Sequence, residues 1–272
     1  MSYPYKPASL STILLNADTE DLDVLVDYIT DSGKGRISLD NEICAKLVKA
    51  KDNVDYGVDA RKLIESELRR FGGNTVANLL RDVKSLVGGF GPLFGSAPDT
   101  AENAVAYDEI VRDVAKHLKV KFDTYAGTPE VEDGILKSLL IASFEKMTAA
   151  EREQVLKDLD IPDAAALAAR GATAVGAGIL AATLTSAMAY QLSSIVAMST
   201  MRALLGRTLT MSAASIVARP ITILAGPIGW AVTGAWALAD MASPAYRVTV
   251  PCVVQIAYMR NKARMQALPG TP

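Results

Sequence analysis

The sequence predicts an all-α fold in which amphipathic helices pack around a very apolar, Ala/Gly-rich C-terminal helical hairpin. In residues 1–160, apolar residues recur at helical spacing and are punctuated by helix-capping residues. Two uncharged stretches, residues 171–201 and 220–239, are each long enough for a complete helix. Strand signals are scarce, and the best of them, residues 246–254, contains Pro251, which argues against a central strand.

The first predicted helices are short and amphipathic. One carries an apolar stripe at helical spacing, made of Leu22, Leu25, Val26 and Ile29. Ser38 is predicted to cap the next helix, which continues through Ile43 and Leu47.

A pair of glycines is predicted to separate the two helices that follow. Residues 59–70 have helical periodicity, and Gly72-Gly73 allow a left-handed C-terminal cap. Asn74 then stands where it can cap the next helix. Phe71 is expected to anchor this helix–turn–helix joint in the core.

A glycine- and proline-rich loop is predicted at residues 88–98. It carries two phenylalanines, Phe90 and Phe94, which are unusual in a simple linker. They either pack onto a neighbouring helix or make the loop a hinge or a binding surface. Phe90 and Phe94 are therefore the candidates for binding a protein partner.

Helical patterning resumes after this loop. Residues 102–120 have apolar residues on one side, and Thr128-Pro129 marks a helix start with proline in the first turn. That helix is predicted to continue to about residue 146. Thr148 and Glu151 then have the spacing of a capping box for one more amphipathic helix.

Pro162 interrupts the pattern, and the composition changes there. We divide the chain into an amphipathic, acidic region, residues 1–160, and an apolar, basic region, residues 161–272. The first has 20 Lys/Arg and 28 Asp/Glu, a balance of −8, and the second has 8 and 2, a balance of +6. This asymmetry predicts contact between the two regions or with an anionic surface. Basic residues interleaved with aromatic ones are missing, so we expect no nucleic-acid partner.

The apolar region contains a candidate membrane-inserting hairpin, residues 164–240. Small residues recur every four positions in its first uncharged stretch, a pattern found where membrane helices pack closely. Glycine and proline would bend the second stretch, and tryptophans follow the bend. The candidate inserting residues are Ala174, Gly178, Ala182, Ser186, Leu192, Ile195, Gly226, Pro227, Gly229, Trp230 and Trp236.

Three interpretations of this hairpin remain open: a constitutive membrane anchor, a permanently soluble core, and a segment that inserts conditionally. A helix that is apolar on every face is either buried in protein or spans a membrane. The many small residues and the charged flanking helices favour conditional insertion over a constitutive anchor.

The sequence indicates no reaction site. His117 is the only histidine, and a histidine-based triad would need a nucleophile and an acid beside it. Cys44 and Cys252 are far apart, lack metal-site spacing, and are typical of reduced intracellular cysteines. Residues 32–35, Ser-Gly-Lys-Gly, lack the spacing of a phosphate-binding loop. We expect no catalytic, cofactor-binding or metal-binding residues, and the N-terminus shows no secretory signal.

Two segments, residues 68–81 and 243–251, resemble the YaaW-like family (the UPF0174 group) of uncharacterised bacterial proteins. The resemblance extends over most of the chain and implies no reaction. We assign structural roles to its motif residues, Phe71, Gly72, Gly73, Asn74, Asn78, Arg81, Tyr246, Arg247 and Pro251. Of these, Tyr246 and Arg247 precede a helix-breaking proline and are expected to anchor the C-terminal segment.

These observations lead to the hypothesis of a non-enzymatic, membrane-active protein, cytoplasmic at rest and located in the inner membrane when activated. After a trigger, the protein would insert its hairpin into lipid and oligomerise into a pore. Binding of another protein is one candidate for this trigger. A toxin or a phage-defence effector would have this architecture. The alternative is a chaperone-like assembly factor or scaffold that binds a protein partner without insertion. It follows from the loose grouping of such proteins with ubiquinol–cytochrome c chaperones.

Overall fold

The computed structural model describes residues 8–36, 39–86, 105–170, 179–180, 182–185, 188–206 and 245–267. No β-strand occurs within these ranges, and the all-α prediction is confirmed. The helices are α1 (Leu10–Leu15), α2 (Thr19–Thr30), α3 (Asn41–Asp52), α4 (Val58–Leu86), α5 (Tyr107–His117), α6 (Thr128–Phe144), α7 (Ala149–Asp158), α8 (Ala164–Arg170), α9 (Ala189–Leu205) and α10 (Tyr246–Gln266).

Local capping explains where several helices begin. Thr148 and Glu151 form the predicted capping box at the start of α7. Pro129 lies in the first turn of α6, as predicted, where its missing N–H has no helical partner to lose. The cap of α3 is Asp40, whose carboxylate accepts bonds from the N–H groups of Glu42 (2.7 Å) and Ile43 (3.2 Å). The prediction that Ser38 caps this helix is wrong.

The residues after α2 form a capping turn. Gly33 and Gly35 have φ angles of 83° and 80°, which glycine adopts without strain. Arg36 reaches back and donates to the carbonyls of Tyr28 (2.9 Å) and Ile29 (3.2 Å) at the end of the helix. The Ser-Gly-Lys-Gly sequence therefore serves to end α2.

The predicted helix–turn–helix joint at Gly72-Gly73 is wrong, because α4 runs without interruption from Val58 to Leu86. Gly72 lies against α5. A Cβ atom at Gly72 would be 2.4 Å from Cγ1 and 2.6 Å from Cδ1 of Ile110, far inside van der Waals contact. This glycine therefore lets α5 approach the backbone of α4 closely. The close approach has a cost, because glycine within a helix loses more conformational entropy on folding than other residues do.

The centre of the described fold is an antiparallel pair, α9 and α10. The Asn261 amide donates to the carbonyl of Ala189 (3.3 Å), and the rings of Tyr190 and Tyr258 stack 6.2 Å apart. Helix α10 also packs against α1, α2, α4, α5 and α6. All residues from 248 to 262 are buried, so α10 is covered on every face. The C-terminal helix is thus enclosed by α9 together with helices of the acidic region.

Pro251 lies inside α10, and the prediction that it breaks the chain there is wrong. It is the sixth residue of the helix, so its ring removes a single bond, to the carbonyl of Arg247. The first turn is already closed before it, since Val248 and Thr249 both donate to the carbonyl of Ala245 (3.0 and 2.9 Å). Burial on all sides then maintains the helix beyond the proline.

The length and the hydropathy of a helix determine whether it can cross a membrane. Across the described ranges, no helix combines the length and the apolar character needed to cross a membrane. Helix α9 has 17 residues, and α10 has 21 but ends in a strongly polar segment.

Candidate functional site

The last turns of α10 carry charges into the interior. After a run without charged residues from Val248 to Met259, Arg260, Asn261 and Lys262 follow, and all three are buried. Arg260 and Lys262 pair with acids of the N-terminal region. We call the four residues Asp21, Glu132, Arg260 and Lys262 the ionic lock, because they join α10 to α2 and α6.

The first pair is bidentate. Arg260 Nε lies 2.6 Å from Glu132 Oε2, and Nη2 lies 3.1 Å from Oε1. Glu132 also accepts a bond from the Tyr107 hydroxyl (2.8 Å), and Arg260 donates to the carbonyl of Ala8 (2.6 Å). The side chains of Glu132 and Arg260 are only 1% and 4% exposed. This pair therefore joins α5, α6, α10 and the segment before α1 in one water-poor network.

The second pair joins α10 to α2. Lys262 Nζ lies 2.9 Å from Asp21 Oδ2 and 2.6 Å from Asp18 Oδ2. The Gln255 amide donates to the other oxygen of Asp21 (3.2 Å), so both oxygens of that buried carboxylate are satisfied. Asp18 is half exposed, and its contact with Lys262 is correspondingly screened by water.

Burial and charge oppose one another in the ionic lock. Burial raises the pKa of the Glu132 carboxyl, and the neighbouring Arg260 and Tyr107 offset this only in part. Burial likewise raises the pKa of Asp21, against the attraction of Lys262. For Arg260 and Lys262, burial disfavours the charge, but Glu132 and Asp21 outweigh it and the pKa rises. Each ionised partner therefore depends on the other, and removing one leaves a buried charge uncompensated.

Helix α9 complements the ionic lock with an uncharged surface. It carries no charged residue from Ala189 to Met201, and the ten consecutive residues from Leu192 to Met201 are buried. The hydroxyls of Ser193 and Ser194 donate to the carbonyl of Tyr190 (2.9 and 2.8 Å), within the helix itself. These two polar groups need no partner outside α9, which suits either a protein interior or a lipid environment.

Few of the predicted inserting residues fall within the described ranges. Leu192 and Ile195 are buried on α9, and Ala182 is exposed. The others lie outside the described residues, as do both partner-binding candidates: Ala174, Gly178, Ser186, Gly226, Pro227, Gly229, Trp230, Trp236, Phe90 and Phe94. The predictions for those residues, and for the hairpin 164–240 as a unit, stay predictions.

The motif residues predicted from the resemblance are divided between two places. Phe71 is buried, and Gly72 and Gly73 are buried beside it on α4. On the same helix, at backbone level, lie Asn74, Asn78 and Arg81. At the start of α10, the Tyr246 ring stacks on His117, with centroids 3.7 Å apart and planes at 13°.

The C-terminal motif has a structural setting. The Tyr246 hydroxyl is hydrogen-bonded to Asp113, whose carboxyl pKa is raised by burial despite that bond. Arg247 is exposed and Pro251 is buried. His117 thus contacts Tyr246 by stacking, and the structural roles predicted for Tyr246, Arg247 and Pro251 stay predictions.

The residues of the ionic lock were missed by motif analysis. The available signal was the opposite charge of the two regions, which predicted contact between them or with an anionic surface and named no pairs. Burial also raises the pKa of the Cys252 thiol, to about 12, so this cysteine is protonated and unreactive at neutral pH. Within the described ranges, no cluster of His, Cys, Asp or Glu is suited to hold a metal ion.

Comparison with known proteins reveals relatives of the chain. Neither a family model nor a solved structure matches it. A UPF0174 protein of Helicobacter pylori is 27% identical over 256 residues, covering 92% of this chain and 90% of the relative. A second from the same species is 32% identical over 216 residues, covering 78% and 92%. The UPF0174 protein YaaW of Escherichia coli is 30% identical over 205 residues, covering 74% and 70%.

Proposed function

Since this chain belongs to the UPF0174 family, which the relatives at 30–32% identity establish, we propose its function from its own residues. The proposal is a non-enzymatic, membrane-active protein. At rest, the helices of the acidic region shelter the apolar region. After a trigger, the segment 164–240 leaves this shelter, enters the inner membrane and oligomerises into a pore.

The observation that carries the proposal is the character of α9. It belongs to the predicted inserting segment, has no charge from Ala189 to Met201, and is buried at every position from Leu192 to Met201. A helix that is apolar on every face is stable in a protein core or in a bilayer, and rarely in water. The hydroxyls of Ser193 and Ser194 are satisfied by the backbone of α9 itself, so moving the helix from protein to lipid would strand neither of these two groups.

The ionic lock supports the resting state of this proposal. Helix α9 packs on α10, and α10 is bonded through Arg260 and Lys262 to acids of α6 and α2. Weakening those pairs would loosen the platform on which α9 rests. A trigger therefore has a physical target: any contact that competes for the lock's charges would favour release of the apolar region.

The proposal is tested by dye release from anionic vesicles with the full chain and two variants. Arg260→Met leaves Glu132 buried without its partner, whereas Glu132→Leu with Arg260→Met removes both charges and keeps the volume filled. We expect the single variant to release dye faster than the wild type, and the double variant to resemble the wild type.

A single variant that stays folded by circular dichroism and releases no dye would contradict pore formation. Membrane fractionation of cells, with and without alkaline carbonate washing, gives a second measure. The pore proposal requires the single variant to resist the wash. A wild type that remains in a stable cytosolic complex, with variants that neither leak nor sediment with membranes, would favour the scaffold alternative.

A further inference from the structure

We propose that the end of α5 and the loop that follows it form a docking surface for anionic phospholipid, which brings the protein to the membrane before any insertion. We define this surface, the basic loop, as residues 116–125. The inference rests on the proposed function and names the partner that the resting protein recognises. It concerns binding to the headgroups, which can be measured separately from leakage.

The basic loop carries a local excess of positive charge. The basic loop contains Lys116, Lys119 and Lys121, and no acid occurs before Asp123. All three lysines are exposed. This concentration of positive charge occurs within a region whose overall balance is −8, so it is a local exception. Lysines close to an anionic leaflet each contribute roughly 1 kcal/mol of attraction, which corresponds to about fivefold in affinity.

The basic loop also exposes an aromatic side chain to solvent. Tyr125 is 95% exposed, the most exposed of the large hydrophobic residues in the described ranges. A phenol combines an apolar ring with a polar tip, and tyrosine is enriched where membrane meets water. A ring held in solvent beside lysines is the combination that a headgroup region accommodates.

Hydrogen bonds hold the backbone of the basic loop in place around Tyr125. The Arg112 guanidinium donates to the carbonyls of Thr124 (3.2 Å) and Ala126 (2.6 Å), the residues on either side of Tyr125. The Tyr125 N–H donates to the Asp123 carboxylate (2.7 Å), which is the nearest acid in the loop. The exposed ring is therefore presented by an ordered backbone, and little ordering entropy is lost on binding.

The position of the loop fits the proposed activity. His117, inside the basic loop, stacks on Tyr246 at the start of α10, and the exposed Arg247 follows it. Tyr246 comes six residues after the end of the predicted inserting segment at residue 240. Docking through the basic loop would therefore place that boundary close to the headgroups. Two acids partly offset the three lysines: Asp123 lies within the basic loop, and Asp113 on α5 interacts electrostatically with Lys116.

The experiment is co-sedimentation of the full chain with vesicles of phosphatidylcholine alone or mixed with phosphatidylglycerol. The test variant replaces Lys116, Lys119 and Lys121 with Gln. A matched control makes the same three-charge change at exposed lysines elsewhere, Lys34, Lys49 and Lys62. We expect the test variant to bind the anionic vesicles roughly 100-fold more weakly than the wild type, with little change in the control. Tyr125→Ala should weaken binding as well, and raised salt should abolish it.

Three results would overturn the inference: equal binding to both kinds of vesicle, equal weakening in the test and control variants, or unchanged binding in the test variant. Equal thermal unfolding of the three proteins checks that the substitutions leave the fold intact. A wild type that docks through the basic loop but never leaks, even with Arg260→Met, would support docking and contradict the pore. Dye leakage that persists after the three lysines are replaced, compared at equal amounts of vesicle-bound protein, would support the pore and contradict docking through the basic loop.

Discussion

The strongest quantitative prediction concerns the bidentate pair of Glu132 and Arg260. Arg260→Met removes both bonds to Glu132 and the bond to the carbonyl of Ala8, and leaves the carboxylate with the Tyr107 hydroxyl alone. Because Glu132 is 1% exposed, water cannot replace the lost partner. Breaking a buried pair in this way costs about 3–5 kcal/mol. Glu132→Leu should cost a similar amount, since it leaves the guanidinium buried.

The double variant, Glu132→Leu with Arg260→Met, should behave differently. Neither charge remains to be desolvated, so the main penalty disappears. The Tyr107 hydroxyl and the Ala8 carbonyl each lose a partner, which accounts for a remaining loss of about 2 kcal/mol. The double variant is therefore expected to be more stable than either single variant, with a coupling energy of about 4 kcal/mol or more.

The assay is urea unfolding of all four proteins, followed by far-ultraviolet circular dichroism at neutral pH. The denaturant slope m should be the same throughout, so that differences in midpoint report stability. Additive losses, with the double variant destabilised by the sum of the two single losses, would refute the reasoning. A loss below about 1 kcal/mol in both single variants would also refute it, because it would mean that water reaches the pair.

Three further predictions concern pH, a glycine and a buried hydroxyl. Burial raises the pKa of the Glu132 and Asp21 carboxyls in the folded state above their pKa in the unfolded chain. The stability that these groups contribute is therefore fully present when the pH is below the unfolded-state pKa, and it is lost as the pH rises through the folded-state pKa. Urea unfolding should therefore show that their contribution grows, and does not decline, as the pH falls from neutrality towards the ordinary pKa range of carboxyl groups. Gly72→Ala should lower stability by about 1–2 kcal/mol, because overpacking against Ile110 outweighs the gain in helix propensity. The buried Tyr28 hydroxyl has no hydrogen-bond partner among the described residues, so Tyr28→Phe should leave stability unchanged or raise it by up to about 1 kcal/mol.

Each of these has a control in the same chain. For the pH dependence, Glu132→Leu with Arg260→Met should reduce the acid-side gain, and an unaltered profile would contradict the assignment. For Gly72, Gly134→Ala on α6 is the milder comparison, since its Cβ would lie 3.2 Å from Val120 Cγ1. Ile110→Val should partly rescue Gly72→Ala by removing a methyl group from the contact. A large loss from Tyr28→Phe would mean that the hydroxyl has a partner.

The sequence predicted features that depend on neighbours along the chain. The apolar stripe of α2, the capping box at Thr148 and the position of Pro129 all follow from local stereochemistry, and each was found as expected. Gly72 and Pro251 were misread because tertiary packing reverses their usual effect. At Gly72, the close approach of α5 favours a residue without a Cβ atom, and at Pro251 burial on every side maintains the helix.

The candidate site was predictable only in outline. Opposite charges in the two regions predicted contact either between the regions or with an anionic surface, and the ionic lock is a contact of the first kind. The partners Glu132 and Arg260 are 128 residues apart, and Asp21 and Lys262 are 241 apart. No spacing rule connects residues at such distances, so only the three-dimensional packing of α2, α6 and α10 selects the pairs. Membrane insertion of the hairpin and pore formation stay predictions.

The position of α10 has a consequence for how the protein is made. Arg260 bonds to the carbonyl of Ala8, 252 residues earlier, and α10 is synthesised after every helix that encloses it. Until α10 has been synthesised, the helices that pack around it lack their central partner. Glu132 and Asp21, the acids that pair with Arg260 and Lys262, then remain hydrated. Core formation therefore waits for translation to pass residue 262, and contacts so distant in sequence make the final step slow. A product that terminates before residue 245 contains the helices that pack against α10 but lacks α10 itself. Its apolar core residues would be exposed to water, and we expect chaperones and proteases to recognise it.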